Sequence, residues 1–154
     1  MQKTYYIRRS RLQRLLVVQG EGAAAGYLSD QGYSIIEKNW RAGRWGEIDL
    51  ITCDPSGILV FVEVKTRTVT STVECGIYPL GFEAINLSKQ RKIIRSAWRF
   101  QRERGYWSAV RFDAITVIYR PRGSCNSDTG SSSSAPDTAS DPVIIHVPNA
   151  FAPL

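Results

Sequence analysis

The chain is 154 residues long, enough for one domain with a real core, and carries a net charge of +6 with one histidine and three cysteines. The cysteines (Cys53, Cys75, Cys125) are odd in number and scattered, with no Cys-x-x-Cys or Cys/His cluster, which argues against zinc and against a disulfide framework. No apolar run approaches bilayer length, and only Leu15-Leu16-Val17-Val18 follows Arg8-Arg9, too short for a signal peptide. A cytoplasmic protein with a polyanionic partner is the expectation from these quantities.

Residues 1–14 hold Lys3, Arg8, Arg9, Arg11 and Arg14 without an acid and read as a solvated basic arm, partly disordered, able to touch a phosphate backbone. The domain proper is expected over 15–120. A helix is predicted from Leu12 to Gln31, with Ala23, Ala24, Tyr27 and Leu28 as its apolar stripe and Gly32 as its stop, although Gly20, Gly22 and Gly26 each weaken it. Glu21 reads as an ordinary exposed helix acid from its spacing alone. Tyr33–Arg41 is the first predicted strand, followed by a glycine-bounded turn over 42–46.

The most apolar part of the chain is also where its acids are least expected. Gly46-Glu47-Ile48-Asp49-Leu50-Ile51 and Leu59-Val60-Phe61-Val62-Glu63-Val64-Lys65 read as two antiparallel strands joined by Asp54-Pro55-Ser56-Gly57. Alternation places Phe61, Glu63 and Lys65 on one face and Val60, Val62 and Val64 on the other. On the first strand it groups Glu47, Asp49 and Ile51 opposite Ile48 and Leu50. A Glu63–Lys65 salt bridge or a solvated face is the plain explanation. A buried ion pair, however, rarely outperforms apolar packing. The favoured reading is a Mg²⁺ (or Mn²⁺) site, with Asp49 and Glu63 as hard oxygen ligands and Lys65 to orient water or offset phosphate charge. Asp49, then Glu63 fourteen residues on, then x-Lys65, is the Asp…Glu-x-Lys arrangement of metal-dependent nucleases.

Thr66 to about Leu87 is predicted as a long loop beside this pair, in which Arg67 is either a phosphate clamp or a surface arginine. Ser88–Arg104 is the second predicted helix, capped by Ser88 or Asn86 and ended by Gly105. Leu87, Ile94, Ala97, Trp98 and Gln101 are its expected inward face. Its seven basic residues include Lys89, Lys92, Arg95 and Arg99 as phosphate contacts. A membrane surface is the alternative use of such a helix, with Trp98 inserting. Val110–Tyr119 is a further strand in which Asp113 is structural, paired with Arg111 or acting as a cap. Residues 121–142 read as a flexible linker and 143–154 as a C-terminal strand docking on the domain, with His146 structural and without a partner.

Taken together in this order, the Glu47–Ile51 and Phe61–Arg67 blocks, the Lys89 helix, Arg111-Phe112-Asp113 and His146–Phe151 resemble the bacterial YraN-like proteins. That group is similar to archaeal Holliday-junction resolvases and restriction-endonuclease-like enzymes. The resemblance runs from about Gln19 to Tyr119 and resumes at His146. It implies an α/β, restriction-endonuclease-like fold with a mixed sheet flanked by helices. It also implies Asp49 and Glu63 as metal ligands and Lys65 as the catalytic lysine. Glu21 becomes a further acid near the metal, acting through water, and Lys89 reaches the phosphate. The implied activity is Mg²⁺-dependent cleavage of branched or processed DNA, with a homodimer expected by analogy. The rival is a non-catalytic DNA-binding scaffold on the same fold.

Overall fold

The structure, a computed structural model, describes residues 2–68, 85–106, 109–119 and 141–152. Most of the expected loop (69–84), most of the expected linker (120–140), Cys75 and Cys125 lie outside the described residues. Helix α1 spans Gln2–Asp30, then come β1 (Ser34–Arg41), a 3₁₀ turn (Gly43–Trp45), β2 (Glu47–Cys53), β3 (Leu59–Thr68), α2 (Leu87–Arg104), β4 (Val110–Tyr119) and β5 (Val143–Val147). Two boundaries differ from expectation. The segment expected as a loose arm belongs to α1, since nothing before Gly20 breaks a helix. β3 continues to Thr68, so Thr66 and Arg67 are strand residues, held by parallel pairing with Val117 and Ile118. Of the two expected caps of α2, Asn86 is the one used: its side-chain oxygen accepts the Lys89 N–H at 2.9 Å. Gly105 ends that helix at φ 71, a left-handed conformation that favours glycine.

The five strands form one mixed sheet in the order β1-β2-β3-β4-β5. Neighbours are antiparallel except β3 and β4, which run parallel, and α2 lies between them in sequence as such a crossover requires. The β2–β3 turn is built on Asp54, whose Oδ1 accepts the N–H groups of Ser56 and Ile58, both at 2.9 Å, while Gly57 takes φ 88.

Each helix covers one sheet face. Ala24, Ala25 and Leu28 of α1 pack with Leu50, Val60, Val62, Val64, Ile115 and Val117. Ile93, Ile94, Ala97 and Phe100 of α2 pack with Ile48, Ile51, Phe61 and Phe112. The inward face of α2 is therefore not the expected one. Ile94 and Ala97 are buried, but Leu87 and Trp98 are 59% and 57% exposed, and Phe100 fills the core against Trp40 and Phe61. Ile48 and Leu50 also part company, packing on opposite faces, so the alternation of β2 breaks next to Asp49. The partner strand is irregular at the same level. Lys38 pairs with Leu50 and Trp40 with Ile48, and Asn39 between them adopts φ 53.

Candidate functional site

Asp49 sits where the sheet comes apart. The β2–β3 ladder ends at Leu50 opposite Val62, so Asp49 and Glu63 are not paired through their backbones. Instead Asp49 Oδ2 accepts the Val64 N–H at 2.7 Å, using a donor that the ladder leaves open. Burial pushes the Asp49 carboxyl from 3.8 up to about 7. The charge of Glu63 adds to the rise and Glu21 contributes a smaller push, while the Val64 N–H and the Lys89 ammonium pull the other way. A half-buried carboxyl poised near neutrality by a second carboxyl is common at functional centres and unusual in a plain core.

Glu63 is held differently. Its Oε1 meets Lys89 Nζ at 2.9 Å, and its Oε2 is buried with no hydrogen-bond partner among the described residues. Lys89 reaches it because the Asn86 cap starts α2 beside the end of β3. Glu63, Lys65 and Lys89 line one cleft of about 290 Å³ with Asn86 and Thr116. Lys65 is exposed on the Glu63 face, as alternation requires. The Nε of Arg67, one further step along that face, is buried without a hydrogen-bond partner among the described residues.

The structure therefore brings Glu63, Lys65 and Lys89 into one cleft, with Asp49 close enough to feel the charges of Glu63 and Lys89. Glu21, half-buried on α1, reaches Asp49 only through its charge, and among the described residues no three His, Cys, Asp or Glu side chains converge. Asp49 and Glu63 are thus the pair able to hold a hard cation. Gly20 sets the position of Glu21: a Cβ at Gly20 would lie 1.9 Å from Thr66 Oγ1, so only glycine lets α1 approach β3 this closely. Of the expected phosphate contacts, Lys92 and Arg95 are exposed. Arg99 is committed within the chain. Its Nη1 donates to the Ala42 carbonyl at 3.0 Å and its Nε to Glu103 at 2.6 Å.

A second polar centre lies within the sheet. Asp113 is fully buried and accepts from Arg111 Nε (2.8 Å), Arg111 Nη2 (3.0 Å) and the Asn149 N–H (2.9 Å), with His146 Nε2 2.9 Å away. The Asp113–Arg111 pair agrees with expectation. His146 does not stand alone, because β5 folds back onto β4 and sets it opposite Ile115. Arg111 also reaches Asp54 Oδ2 and the Tyr33 hydroxyl, both at 2.8 Å, so this network ties β4 and β5 to the hairpin turn and to the residue that leads into β1.

A five-stranded mixed sheet with a helix on each face is an α/β fold compatible with the restriction-endonuclease-like class. The chain belongs to the Uncharacterised protein family UPF0102, whose pattern it matches over residues 20–117. It is 42% identical to a UPF0102 protein of Rhodococcus jostii over 67% of this chain and 81% of that one. It is 39% identical to one of Thermosynechococcus vestitus over 68% and 81% of the two chains. With one of Trichlorobacter lovleyi it shares 35% identity over 86% of each chain. The matched span includes Asp49, Glu63, Lys65, Lys89 and Glu21. Among the described residues no helix is long and apolar enough to cross a membrane.

Proposed function

We propose that this protein is a Mg²⁺- or Mn²⁺-dependent DNA endonuclease acting on branched or otherwise processed DNA. One observation carries the reading. Asp49, its carboxyl raised to about 7, and Glu63, with one buried oxygen that has no partner among the described residues, act on each other through their charges where the β2–β3 pairing ends. A hard cation held by Asp49 and Glu63 fits that donor set, because Mg²⁺ keeps several waters and needs few protein oxygens. It would relieve both the repulsion at Asp49 and the unsatisfied oxygen of Glu63. When bound, it supplies Lewis-acid polarisation of a phosphodiester.

The chain's own residues supply the rest. Lys65, exposed beside Glu63, orients a water against the phosphate and offsets charge building there. Lys89, which lies against Glu63, would be free to contact a phosphate oxygen if Glu63 and Asp49 held a cation. Lys92 and Arg95 point outward from α2 to position the backbone without reading sequence. The basic composition supports a DNA partner, and cytoplasmic placement goes with this reading.

The test is cleavage of labelled four-way-junction and flap DNA, with calorimetric titration of Mg²⁺ and Mn²⁺. Asp49→Ala should abolish metal heat and cleavage, and Lys65→Ala should cost on the order of a hundredfold or more in rate while DNA binding persists. Cleavage that survives both substitutions rules the site out. A non-catalytic DNA-binding scaffold is the second reading. The Lys89–Glu63 pair favours it, since it neutralises that acid within the chain. Absence of metal heat in the wild type would establish it.

A further inference from the structure

Trp98 is the largest side chain on α2 that the core leaves outside, and its surroundings are as informative as its exposure. Arg95, Trp98, Arg99 and Arg102 recur at helical spacing on one face. With Trp45 of the 3₁₀ turn they line an open pocket of about 600 Å³. Arg44 and Arg95 lie over the Trp45 ring at 4.7 and 5.7 Å, so cations already occupy that aromatic surface. Glu103, the acid nearest this face in sequence, is tied to Arg99.

We infer that this pocket is a stacking platform for an unpaired nucleotide, so that the nucleic acid this protein takes carries a single-stranded segment next to duplex. The inference names the substrate class of the site proposed above and rests on that reading. A base inside a duplex hides both its faces, whereas an unpaired base offers one to an exposed indole. Guanidinium groups on both sides of Trp98 supply the phosphate contacts that such a strand needs, and they are complementary to its charge. Lys89 and Trp98 are nine residues apart, about 14 Å along the helix axis and half a revolution around it, so they lie on opposite sides of α2. A strand that lays a base on Trp98 therefore runs over the outer, arginine-bearing face of α2, and the duplex part of the substrate is what reaches the Glu63–Lys89 cleft. A concave pocket bordered by arginines suits a base and its phosphates better than a lipid surface, which calls for a convex apolar stripe.

The test measures anisotropy of a fluorescein-labelled blunt duplex and of the same duplex with a single-stranded tail, in EDTA, with the full chain. The wild type should prefer the tailed DNA. Trp98→Ala should weaken tailed binding about tenfold, the size of one lost base–aromatic stack, and leave blunt-duplex binding and the salt dependence unchanged. Trp98→Phe should restore most of it. Arg95→Ala should weaken both DNAs and reduce the salt slope by about one. Equal binding of the two DNAs by the wild type, or an equal loss on both in Trp98→Ala, overturns the inference. Trp98-dependent binding to phosphatidylglycerol vesicles without a tail preference overturns it in favour of a lipid surface. Because no cleavage is measured, the two readings fail separately. A protein that prefers tails and cuts nothing loses the nuclease reading alone, and one that cuts but ignores tails loses this inference alone.

Discussion

The ammonium of Lys89 lies 2.9 Å from one oxygen of Glu63, while the other oxygen of that carboxylate is buried with no hydrogen-bond partner among the described residues. A strand acid is thus half satisfied by the chain and half left over. Lys89 also lowers the Asp49 carboxyl, so a single cation compensates both acids. Lys89→Gln should lower stability in EDTA by about 1 kcal/mol, a modest cost because the lysine is partly exposed. It should also raise the Asp49 carboxyl further, because the Lys89 ammonium is one of the groups that pull it down. Mg²⁺ should recover more stability in this variant than in the wild type, since a ligand stabilises in proportion to its affinity for the folded state. Urea midpoints with and without Mg²⁺ check this. An equal Mg²⁺ increment in both proteins would mean that Lys89 does not stand in for a cation.

Asp49 predicts an unusual pH profile. A carboxyl whose folded value lies above its unfolded one keeps a proton that the unfolded chain has released. Its contribution to stability is complete below its ordinary value of 3.8 and drains away as pH rises towards about 7. Metal-free wild type should therefore lose on the order of 2 kcal/mol across that window, and Asp49→Asn should flatten the slope. The variant keeps an oxygen for the Val64 N–H, so it should match the wild type near pH 4 and exceed it near pH 8. Metal binding near pH 6 should release a proton, visible as calorimetric heats that vary with the ionisation enthalpy of the buffer.

Gly20 tests how α1 meets the sheet. Gly20→Ala gains about 1 kcal/mol of helix propensity yet drives a Cβ to 1.9 Å from Thr66 Oγ1. The net should be a loss of roughly 1–3 kcal/mol, the usual cost of overpacking. Gly22 and Gly26 have open space at the same position, so alanine there should stabilise by about 0.5–1 kcal/mol. Gly20→Ala in a Thr66→Ala background should recover part of the loss. Thermal unfolding of the four variants settles whether close approach or flexibility keeps glycine at 20.

The parts legible in the sequence were those set by short-range periodicity. The Glu63–Lys65 face, the turn at Asp54 and the stop at Gly105 each depend on a few neighbouring residues, and all three stand as read. What was not legible depends on long-range geometry. Trp98 and Phe100 are both aromatic and only two positions apart, so composition cannot say which faces the sheet. Phe100 continues the i, i+4, i+7 row of Ile93 and Ala97 that packs on the sheet, and Trp98 does not. Ile48 and Leu50 should share a face on a regular strand, and they do not because the ladder opens at Asp49. His146 had no partner within reach along the chain, since Asp113 is brought to it only by β5 returning to the sheet. The basic run before Gly20 was read for its charge, when the absence of a helix breaker was the stronger signal.

That returning strand gives the sharpest stability prediction. Burial alone would raise Asp113, but hydrogen bonds from His146, Arg111 and the Asn149 N–H, with the charge of Arg111, hold it below the ordinary carboxylate range. Stability from this group is present above that range and is lost as pH falls through it. Asp113→Asn keeps the shape but removes the charge and one of two acceptor oxygens, leaving the Arg111 guanidinium only Asp54 as an ionic partner among the described residues. The expected cost is about 3 kcal/mol. His146→Ala should cost about 1–2 kcal/mol by losing one hydrogen bond and the edge contacts with Tyr27 and Tyr33. Because both substitutions break the same contact, the double variant should cost clearly less than the sum of the two. Amide exchange across Val143–Val147 should quicken in each single variant, while exchange in β2 follows only the global loss of stability. Additive costs, with β5 as protected as before, would mean that the strand is held by its backbone pairing with β4 and not by Asp113.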